Sequence, residues 1–382
     1  MQLRTTTTIE GATKLLVPSE SLERVPPPTS PVFFNPAASL NRHVSVAVAA
    51  AVGGSNFCDS LSGVGSRGVR VAKEVGMDVT LVDFNAQALR LGRKSAALNK
   101  VASRCRFVES ESSAFLSSRN GKDERYDFVD VDPFGTPAPF FAAALSAVAP
   151  GGILSFTATD AAVLCGVYSG VSSRRYFASS LNNHFSHETG SRILLGAVCK
   201  LAGSVDLGVV PVFAHATRHY FRAYVRVETG ATKADAALRN LGYVVWGRHC
   251  GHSSVEKEAS RACVTCGKAA KIAGPLWAGK VTDKKAVAAA RREADERGMH
   301  EAARVMAGFI GVDRFPPWSF SLEEISSSLG VPTVSRKAVS SILESSGHSC
   351  GSQPFEKEGL KSDASYGEVV AAARASAGLR QA

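Results

Sequence analysis

No stretch of this sequence is apolar for long enough to cross a lipid bilayer. The apolar run at residues 44–52 is far too short, because a spanning helix needs about 20 such residues. Residues 1–20 also lack the hydrophobic core of a secretory signal peptide. The 8 cysteines are scattered, mostly singly, along 382 residues, which favours a reducing compartment over a disulfide framework. These absences predict a cytoplasmic protein with no membrane partner.

Acidic residues are outnumbered by basic ones. The chain has 34 Asp and Glu against 44 Lys and Arg, which gives a net charge of +10. An excess of this size favours a polyanionic partner, and nucleic acid is the first candidate. A length of 382 residues exceeds the usual single core, so we expect two domains.

A glycine-rich loop lies in the first half of the chain. A strand-like segment at residues 56–61 runs into Gly63-Val64-Gly65-Ser66-Arg67-Gly68, and a helical pattern follows. Glycines of this kind let the backbone approach a cofactor, and the helix N-terminus offers free N–H groups. Asp83 ends the next strand, 20 residues after Gly63, where an acid hydrogen-bonds ribose hydroxyls. The pattern predicts cofactor contacts at Gly63, Gly65 and Asp83.

Strand-like and helical segments alternate from residue 56 to residue 157. The third strand ends at Glu109-Ser110-Glu111-Ser112, where an acid that contacts adenine would lie, and Asp132 ends the fourth. Two further strand-like segments, at residues 211–215 and 219–227, read as an antiparallel pair. The pattern predicts an α/β fold, a Rossmann-like nucleotide-binding domain closed by an antiparallel end hairpin.

The tetrapeptide Asp132-Pro133-Phe134-Gly135 is the segment that most directly indicates a type of reaction. Pro133 removes a backbone donor and Gly135 favours a loop, so the strand ends here and presents a carboxylate and an aromatic ring. Open α/β sheets bind their ligands at this edge. The tip suits methylation of an exocyclic base amine, because Asp132 could accept the amine N–H and Phe134 could stack on the extruded base. The alternative is a strand end with a turn and a packed phenylalanine.

The glycine loop alone fits both NAD and S-adenosylmethionine. The strand-4 tetrapeptide favours S-adenosylmethionine, because a dehydrogenase has no evident use for it. An NAD-dependent oxidoreductase is kept as the alternative enzyme. Arg42, near the start of an apolar helix, could hold a ligand carboxylate bidentately or could be a solvated helix charge.

Composition changes at residue 230, which predicts a second, α+β domain. Cys263-Val264-Thr265-Cys266 is half of a zinc ribbon, and Cys250 with His252 or His249 could supply the remaining ligands. Ser253 stands where another cysteine is needed, so a site that has lost its metal is the alternative. Residues 283–309 read as one long amphipathic helix. Residues 319–329 and 335–345 then form a helix-turn-helix-like pair with a β-wing at 348–363, a module that binds nucleic acid or braces a domain.

Together these segments resemble the tRNA (guanine-N2)-dimethyltransferase family in its archaeal form. The matching residues run along nearly the whole chain: Glu10-Gly11, Phe34-Asn35-Pro36, Asn41-Arg42, the glycine loop, Asp83, Asp132-Pro133-Phe134-Gly135, Thr157-Ala158-Thr159-Asp160, His187-Glu188, Arg192, Gly274-Pro275-Leu276-Trp277 and Gly359-Leu360-Lys361-Ser362-Asp363. The resemblance implies one or two methyl transfers from S-adenosylmethionine to N2 of guanine at position 26 of tRNA. It also implies a class I methyltransferase domain followed by a family-specific C-terminal domain.

From this resemblance we expect a methyltransferase domain at residues 1–229, with an N-terminal extension at 1–31. The C-terminal domain is expected at 230–382, with a cysteine-rich insert at 246–277 and a winged-helix-like segment at 315–365. Asp132 and Phe134 are the expected catalytic residues. Arg42 and Arg67 are expected beside the methionine end of the cofactor, and Glu111 and Ser112 beside its adenine.

Three positions depart from the family pattern. His43 stands where an Asp usually follows Asn-Arg, Glu111-Ser112 replaces an Asp-Ala pair, and Ser253 breaks the second zinc knuckle. None of them removes an arginine or aspartate expected in the site, so we expect an active enzyme. A catalytically inactive tRNA-binding protein with a methyltransferase fold is the non-enzyme alternative. The sequence shows no evident obligate protein partner.

Overall fold

The computed structural model describes residues 3–119, 121, 124–217, 219–356 and 359–379. The strands are, in chain order, β1 (Thr5–Glu10), β2 (Thr13–Pro18), β3 (Asn56–Asp59), β4 (Asp78–Asp83), β5 (Cys105–Glu109), β6 (Tyr126–Val131), β7 (Val148–Ala158), β8 (Leu207–Thr217), β9 (Tyr220–Thr229), β10 (Leu241–Trp246), β11 (Ser253–Glu256), β12 (Lys271–Trp277), β13 (Cys350–Ser352) and β14 (Leu360–Ser362). The α-helices are α1 (Glu20–Glu23), α2 (Ser39–Val52), α3 (Ser66–Arg70), α4 (Ala86–Leu98), α5 (Ser112–Ser117), α6 (Phe141–Ala147), α7 (Ala161–Leu164), α8 (Ser169–Tyr176), α9 (Ser186–Gly203), α10 (Ala231–Leu238), α11 (Lys284–Glu296), α12 (His300–Phe309), α13 (Leu322–Leu329), α14 (Arg336–Ser345) and α15 (Tyr366–Ser376).

The largest sheet has its strands in the order β5-β4-β3-β6-β7-β9-β8. Strands β3 to β7 pair in parallel, whereas β9 pairs antiparallel with both β7 and β8. This arrangement confirms the Rossmann-like fold with an antiparallel end hairpin. The chain reverses its direction of travel across the sheet between β3 and β6, and ligands of open α/β sheets bind at such a switch point.

Strand β6, at the centre of the sheet, is almost completely buried. Five of its 6 residues are buried, and only Asp127 is partly exposed. Phe128 stacks on Phe57 of β3 with ring centroids 4.7 Å apart, which locks the two strands that flank the switch point. Four of these six residues are apolar, as is typical of a strand covered on both faces, and Asp130 is the buried exception.

The main hydrophobic core continues across residue 230. It takes in α2 and α9, and also residues from α11, α12 and the neighbourhood of Phe355. Helix α11 packs directly against α2 of the first half. A second, smaller core joins α13, α14, α15 and β14. The division of the chain at residue 230 therefore stays a prediction, since buried side chains on either side of it pack together.

The segment predicted as one helix from residue 283 to 309 is two helices. Helix α11 ends at Glu296 and α12 begins at His300, because Gly298 between them has a φ of +70°. The winged-helix-like part matches its prediction more closely: α13 and α14 are followed by the antiparallel pair β13–β14. None of the helices in the described residues is both long and apolar enough to span a membrane.

Candidate active site

A cavity of about 700 Å³ opens at the carboxyl ends of the parallel strands. Its walls include six residues expected from the sequence to act in the site: Arg42, Gly63, Arg67, Asp83, Asp132 and Phe134. The wall also contains residues that sequence reasoning missed, notably Phe33, Asp59, Phe84 and Thr157. The strand ends β3, β4 and β6 each contribute an aspartate, because their carboxyl ends meet at one sheet edge.

The glycine loop is held by strand-end carboxylates. Gly63 N–H donates to Asp83 Oδ2 at 2.7 Å, and Gly68 N–H donates to Asp59 Oδ2 at 2.9 Å. Gly65 does not line the cavity; it has a φ of +74°, and a Cβ there would lie 2.9 Å from Leu81 Cδ2. Gly65 is therefore needed for the tight turn and for close packing of α3 on the sheet.

Asp83 keeps capacity to bind a ligand. Its two carboxylate oxygens accept from Gly63 N–H and, at 2.8 Å, from Asn85 N–H. Each carboxylate oxygen has two lone-pair sites, so acceptor positions remain. Phe84, the next residue, is 75% exposed and also lines the cavity, which offers an unburied ring for a flat ligand group.

Five charged residues form a group that we call the cavity cluster: Asp59, Arg67, Asp130, Asp132 and Arg222. Arg67 is only 4% exposed; its Nε lies 2.9 Å from Asp130 Oδ2, and its Nη2 donates to Asp132. Arg222 donates to Asp130 from the other side and, at 2.6 Å, to Thr157 Oγ1. Arg67 thus fixes the carboxylate of Asp132 at the cavity wall.

Asp132 is the member of this cluster that reaches the cavity with appreciable exposure. Its side chain is 28% exposed, whereas Asp130 is fully buried. Burial alone would raise the pKa of Asp132, but the positive charges of Arg67 and Arg222 outweigh burial and hold that pKa below its usual range. At neutral pH Asp132 is therefore an ionised hydrogen-bond acceptor.

Asp130 and Asp59 were not expected from the sequence. Asp130 lies two residues before Asp132 and so shares its side of the strand, which is the signal that could have pointed to it. Burial, followed by the negative charge of Asp130, raises the pKa of Asp59 to about 7. Asp59 is therefore the carboxyl of the cluster whose pKa lies closest to neutral pH.

Phe134 projects from the loop that ends β6. It is 73% exposed, and Gly135 next to it has a φ of +76°, which the turn requires. Phe33 packs edge-on against it, with ring centroids 4.9 Å apart and an interplanar angle of 74°. The two rings and the Asp132 carboxylate therefore share one wall of the cavity.

Arg42 is engaged by a residue of the N-terminal hairpin. Its Nε donates to Glu10 Oε1 at 2.7 Å, and its guanidinium lies 5.0 Å from the Phe34 ring centroid. Burial would raise the pKa of Glu10, but Arg42 and then Arg70 lower it to about 2. Contact between Arg42 and the methionine end of a cofactor stays a prediction, although Arg42 does line the cavity.

His43 lies beside this ion-pair network. Burial, followed by the positive charge of Arg70, lowers the pKa of His43. The network already contains two arginines and two carboxylates, since Arg70 also pairs with Glu74 at 2.8 Å. A neutral histidine adds no charge to this balanced group.

Glu111 and Ser112 are placed differently from the other expected cofactor residues. Neither lines the cavity. The Glu111 carboxylate caps helix α5 by accepting from Ser113 N–H at 2.9 Å and Ala114 N–H at 2.7 Å. Ser112 is 3% exposed and begins that helix. Their contact with adenine stays a prediction, because the capping geometry turns the carboxylate toward its own helix.

The structure brings together three of the four expected metal ligands. The sulfur atoms of Cys250, Cys263 and Cys266 lie within 4.8 Å of one another. A Cβ at Gly247 would come within 2.7 Å of Cys263 Sγ, so only glycine leaves room for the thiols. His252 is not part of the group. Its backbone carbonyl accepts from Gly247 N–H at 2.8 Å, and this hydrogen bond closes the turn that carries Cys250.

Five further residues, which we call the junction cluster, join α9 to the winged-helix-like part: Glu188, Arg192, Gln353, Glu356 and Lys361. Glu188 and Lys361 are fully buried, and Lys361 Nζ lies 2.6 Å from Glu188 Oε2. Arg192 and Gln353 also donate to Glu188, each at 3.0 Å. The polar groups of Glu188 and Arg192 are therefore buried between α9 and the winged-helix-like part.

A doubly wound sheet with an antiparallel end hairpin, a glycine loop and a strand-tip aspartate defines a class I methyltransferase domain. The family model described as N2,N2-dimethylguanosine tRNA methyltransferase matches residues 11–374. The chain belongs to this family, and the resemblance inferred from the sequence is confirmed.

The similarity extends over most of each related chain. A tRNA (guanine(26)-N(2))-dimethyltransferase of Methanosarcina acetivorans is 32% identical over 386 residues, which cover 95% of this chain and 97% of the relative. One from Methanopyrus kandleri is 34% identical, with 88% and 86% covered. Among solved structures, Trm1 from Pyrococcus horikoshii in complex with S-adenosyl-L-methionine is 28% identical and superposes with a TM-score of 0.85, covering 96% of this chain and 99% of its own.

Proposed function

We propose that the protein transfers one or two methyl groups from S-adenosylmethionine to the N2 amine of guanine 26 in tRNA. The observation that carries the proposal is the cavity wall where Asp132 and the exposed Phe134 stand beside the glycine loop and Asp83. Relatives that match nearly the whole chain have this activity in their names.

The cavity suits a nucleoside cofactor with a charged methionine end. Asp83 keeps free acceptor positions at a strand tip, which is where vicinal ribose hydroxyls are bound. A Cβ at Gly63 would meet only the Phe33 carbonyl, at 3.8 Å, so the loop leaves open space for a ligand. Phe84, directly after Asp83 in the chain, adds an exposed ring to the same cavity wall. When bound, S-adenosylmethionine supplies a methyl group that its sulfonium charge already activates.

Asp132 has the main task of positioning the amine. The N2 amine of guanine is a poor nucleophile, because its lone pair is delocalised into the ring. An ionised Asp132 accepts one N2–H, directs the lone pair away from itself and stabilises the positive charge that develops on nitrogen. The transfer breaks the S–CH3 bond, forms the N2–CH3 bond and leaves S-adenosylhomocysteine. The surplus N2 proton passes to Asp132 and from there to water, because Arg67 keeps the pKa of Asp132 too low for it to retain the proton.

Phe134 and Phe33 hold the base. The guanine must leave its stack before its N2 atom can enter the cavity, and an aromatic face replaces the lost stacking. Phe134 is exposed on the loop beside Asp132, and Phe33 buttresses it edge-on. We assign stacking to Phe134 and the orientation of that ring to Phe33.

The cysteine group suits a structural zinc ion. Three thiols converge within 4.8 Å, and thiolates are preferred zinc ligands. We propose Cys250, Cys263 and Cys266 as ligands; ligation by His252 requires its ring to turn toward them. Elemental analysis of protein purified without added metal tests this: about one zinc per chain is expected, and its absence at normal thermal stability would overturn it.

Mass spectrometry of nucleosides from tRNA treated with the protein and S-adenosylmethionine tests the proposed reaction. We expect N2-methylguanosine and N2,N2-dimethylguanosine, both lost when guanine 26 is replaced by adenine. S-adenosylmethionine should also raise the melting temperature, whereas NAD should not, because only a bound ligand stabilises the fold. Stabilisation by NAD alone would favour an oxidoreductase, and tight tRNA binding with no methylated nucleoside would favour an inactive binding protein.

A further inference from the structure

The segment that follows the cavity wall, residues 161–177, carries exposed aromatic rings and no acidic residue. It contains α7 and α8. Tyr168, before α8, is 57% exposed, and Phe177, after it, is 51% exposed. Arg174 and Arg175 lie in the last turn of α8, and both are exposed. We call residues 161–177 the aromatic–arginine segment.

This segment is tied to the loop that carries Phe134. Gly135 N–H donates to Thr159 Oγ1, and Thr159 N–H donates to the Gly135 carbonyl, each at 2.8 Å. Asp160, the next residue, accepts from Tyr176 Oη at 2.7 Å and from Arg175 Nη1 at 2.9 Å. The C-terminal end of α8 therefore has a fixed position relative to the mouth of the cavity.

Phe177 is held in an unusual conformation. Its φ is +55°, in the left-handed region that side chains other than glycine adopt rarely and with strain. Its carbonyl accepts from Lys200 Nζ at 3.0 Å, so the backbone is anchored while the ring stays exposed. Within the described residues, neither Phe177 nor Tyr168 contacts another aromatic ring. About half of each residue is therefore exposed, and no other aromatic ring in the described part of the chain covers it.

We propose that the aromatic–arginine segment docks the stretch of RNA that adjoins the target guanine, an inference that rests on the proposed function. When the guanine leaves its stack, its neighbours expose their faces, and unstacked bases are recognised by aromatic side chains. Tyr168 and Phe177 provide two such rings, one at each end of α8. Arg174 supplies positive charge for a phosphate, in a surface segment without any negative charge.

The arginines differ in how free they are to bind. Arg175 is already paired with Asp160, and its side chain is 42% exposed, so we assign it to holding α8 in place. Arg174 is exposed beside it on the same turn. The structure thus assigns the phosphate contact to Arg174 and the base contacts to Tyr168 and Phe177.

Phe177→Gly is the informative variant, because glycine accepts a φ of +55° without strain and removes only the ring. We expect its melting temperature to equal or exceed that of the wild type, while its affinity for substrate tRNA falls about tenfold, the scale of a lost base–aromatic stack. Tyr168→Ala should weaken tRNA binding to a similar extent. The affinity for S-adenosylmethionine, measured by calorimetry, should not change in either variant.

Arg174→Ala should lower the slope of log Kd for tRNA against log salt by about one, the loss of one phosphate contact. Arg106→Ala is the matched control. It removes the same charge from an exposed position on β5, which three strands separate from β7, and should leave the slope unchanged.

Unchanged tRNA affinity in both Phe177→Gly and Tyr168→Ala, in a protein that methylates tRNA normally, would overturn this inference and leave the proposed function intact. An equal loss of slope in Arg106→Ala and Arg174→Ala would show that only total charge matters, which also contradicts it. A wild-type protein that methylates no tRNA overturns the proposed function, and this inference with it.

Discussion

The cavity cluster and the junction cluster bury similar chemistry in different surroundings. Each contains two cationic side chains and one carboxyl group whose pKa is raised, chiefly by burial. In the cavity cluster this is Asp59, with a pKa of about 7, and in the junction cluster it is Glu356, with a pKa of about 8. In the junction cluster no charged side chain is more than 12% exposed. In the cavity cluster Asp132 is 28% exposed and faces open space.

This difference indicates that buried charge has a different role in the two clusters. A buried ion pair is weak evidence for stability, because removing two charges from water costs about as much as their attraction returns. The cavity cluster instead fixes one ionised carboxylate where a substrate can reach it. The junction cluster has no such opening, and its polar groups fix how the winged-helix-like part sits on α9.

The largest expected effect is on stability in the junction cluster. Lys361→Met leaves Glu188 buried with Arg192 and Gln353 as its donors, and breaking a buried pair in this way costs about 3–5 kcal/mol of unfolding free energy. Chemical denaturation should show this loss, while the methylation rate per folded molecule stays close to that of the wild type. Adding Glu188→Gln should recover part of the stability; a double variant less stable than either single one would contradict the pairing.

The opposite result is expected in the cavity cluster. Asp132→Ala removes the acceptor for the amine and should slow single-turnover methyl transfer by about 10²-fold or more, the scale of a lost acid–base group. S-adenosylmethionine binding and the melting temperature should survive, because Arg67 keeps its contact with the buried Asp130. A folded variant with a nearly normal rate would show that Asp132 only ends the strand.

Substitution of Asp83 tests the proposed ribose contact, which lies outside both clusters. Asp83→Ala should weaken S-adenosylmethionine binding by roughly 1.5–3 kcal/mol, the scale of hydrogen bonds to a charged group. Asp83→Asn serves as the control, since it keeps an oxygen acceptor for Gly63 N–H and separates loss of the loop anchor from loss of the ribose contact. Calorimetry that gives equal affinity for wild type and Asp83→Ala would remove Asp83 from the site.

The smallest effect expected is a pH dependence from the junction cluster. Burial, followed by the negative charge of Glu188, raises the pKa of Glu356 from 4.5 to about 8. The folded state therefore holds this proton more tightly than the unfolded state does. The contribution to stability is complete below about pH 4.5 and is lost as the pH rises through 8.

Melting temperatures between pH 7.5 and 9 test this when the wild type is compared with Glu356→Gln. Burial lowers the pKa of Lys200 to about 8, so Lys200 titrates in the same window, but it does so in both proteins. The wild type should lose stability relative to the variant as the pH rises. Glu356→Gln should flatten the curve, since its amide oxygen can still accept from His187 and Glu188 N–H. Parallel curves for the two proteins would mean that Glu356 is ionised throughout.

Local patterns in the sequence predicted the sheet and much of the cavity wall. Alternating strands and helices require a doubly wound sheet, and parallel strands bring their carboxyl ends together, so Asp83 and Asp132 had to meet near the glycine loop. Gly65 was expected as a cofactor contact, but its position is explained by the tight turn and by Leu81 packing against it. Such roles depend on neighbours that the sequence does not place.

The sequence by itself determined the family, through motifs that resemble it along nearly the whole chain. It also determined the alternation of strands and helices and which strand tips carry acids, because these follow from local periodicity. Tertiary structure alone decided which charges meet: Arg67 with Asp130 and Asp132, Arg42 with Glu10, and Glu188 with Lys361. Ion pairs between residues far apart in the chain form only after the core has packed, so no local pattern specifies their partners.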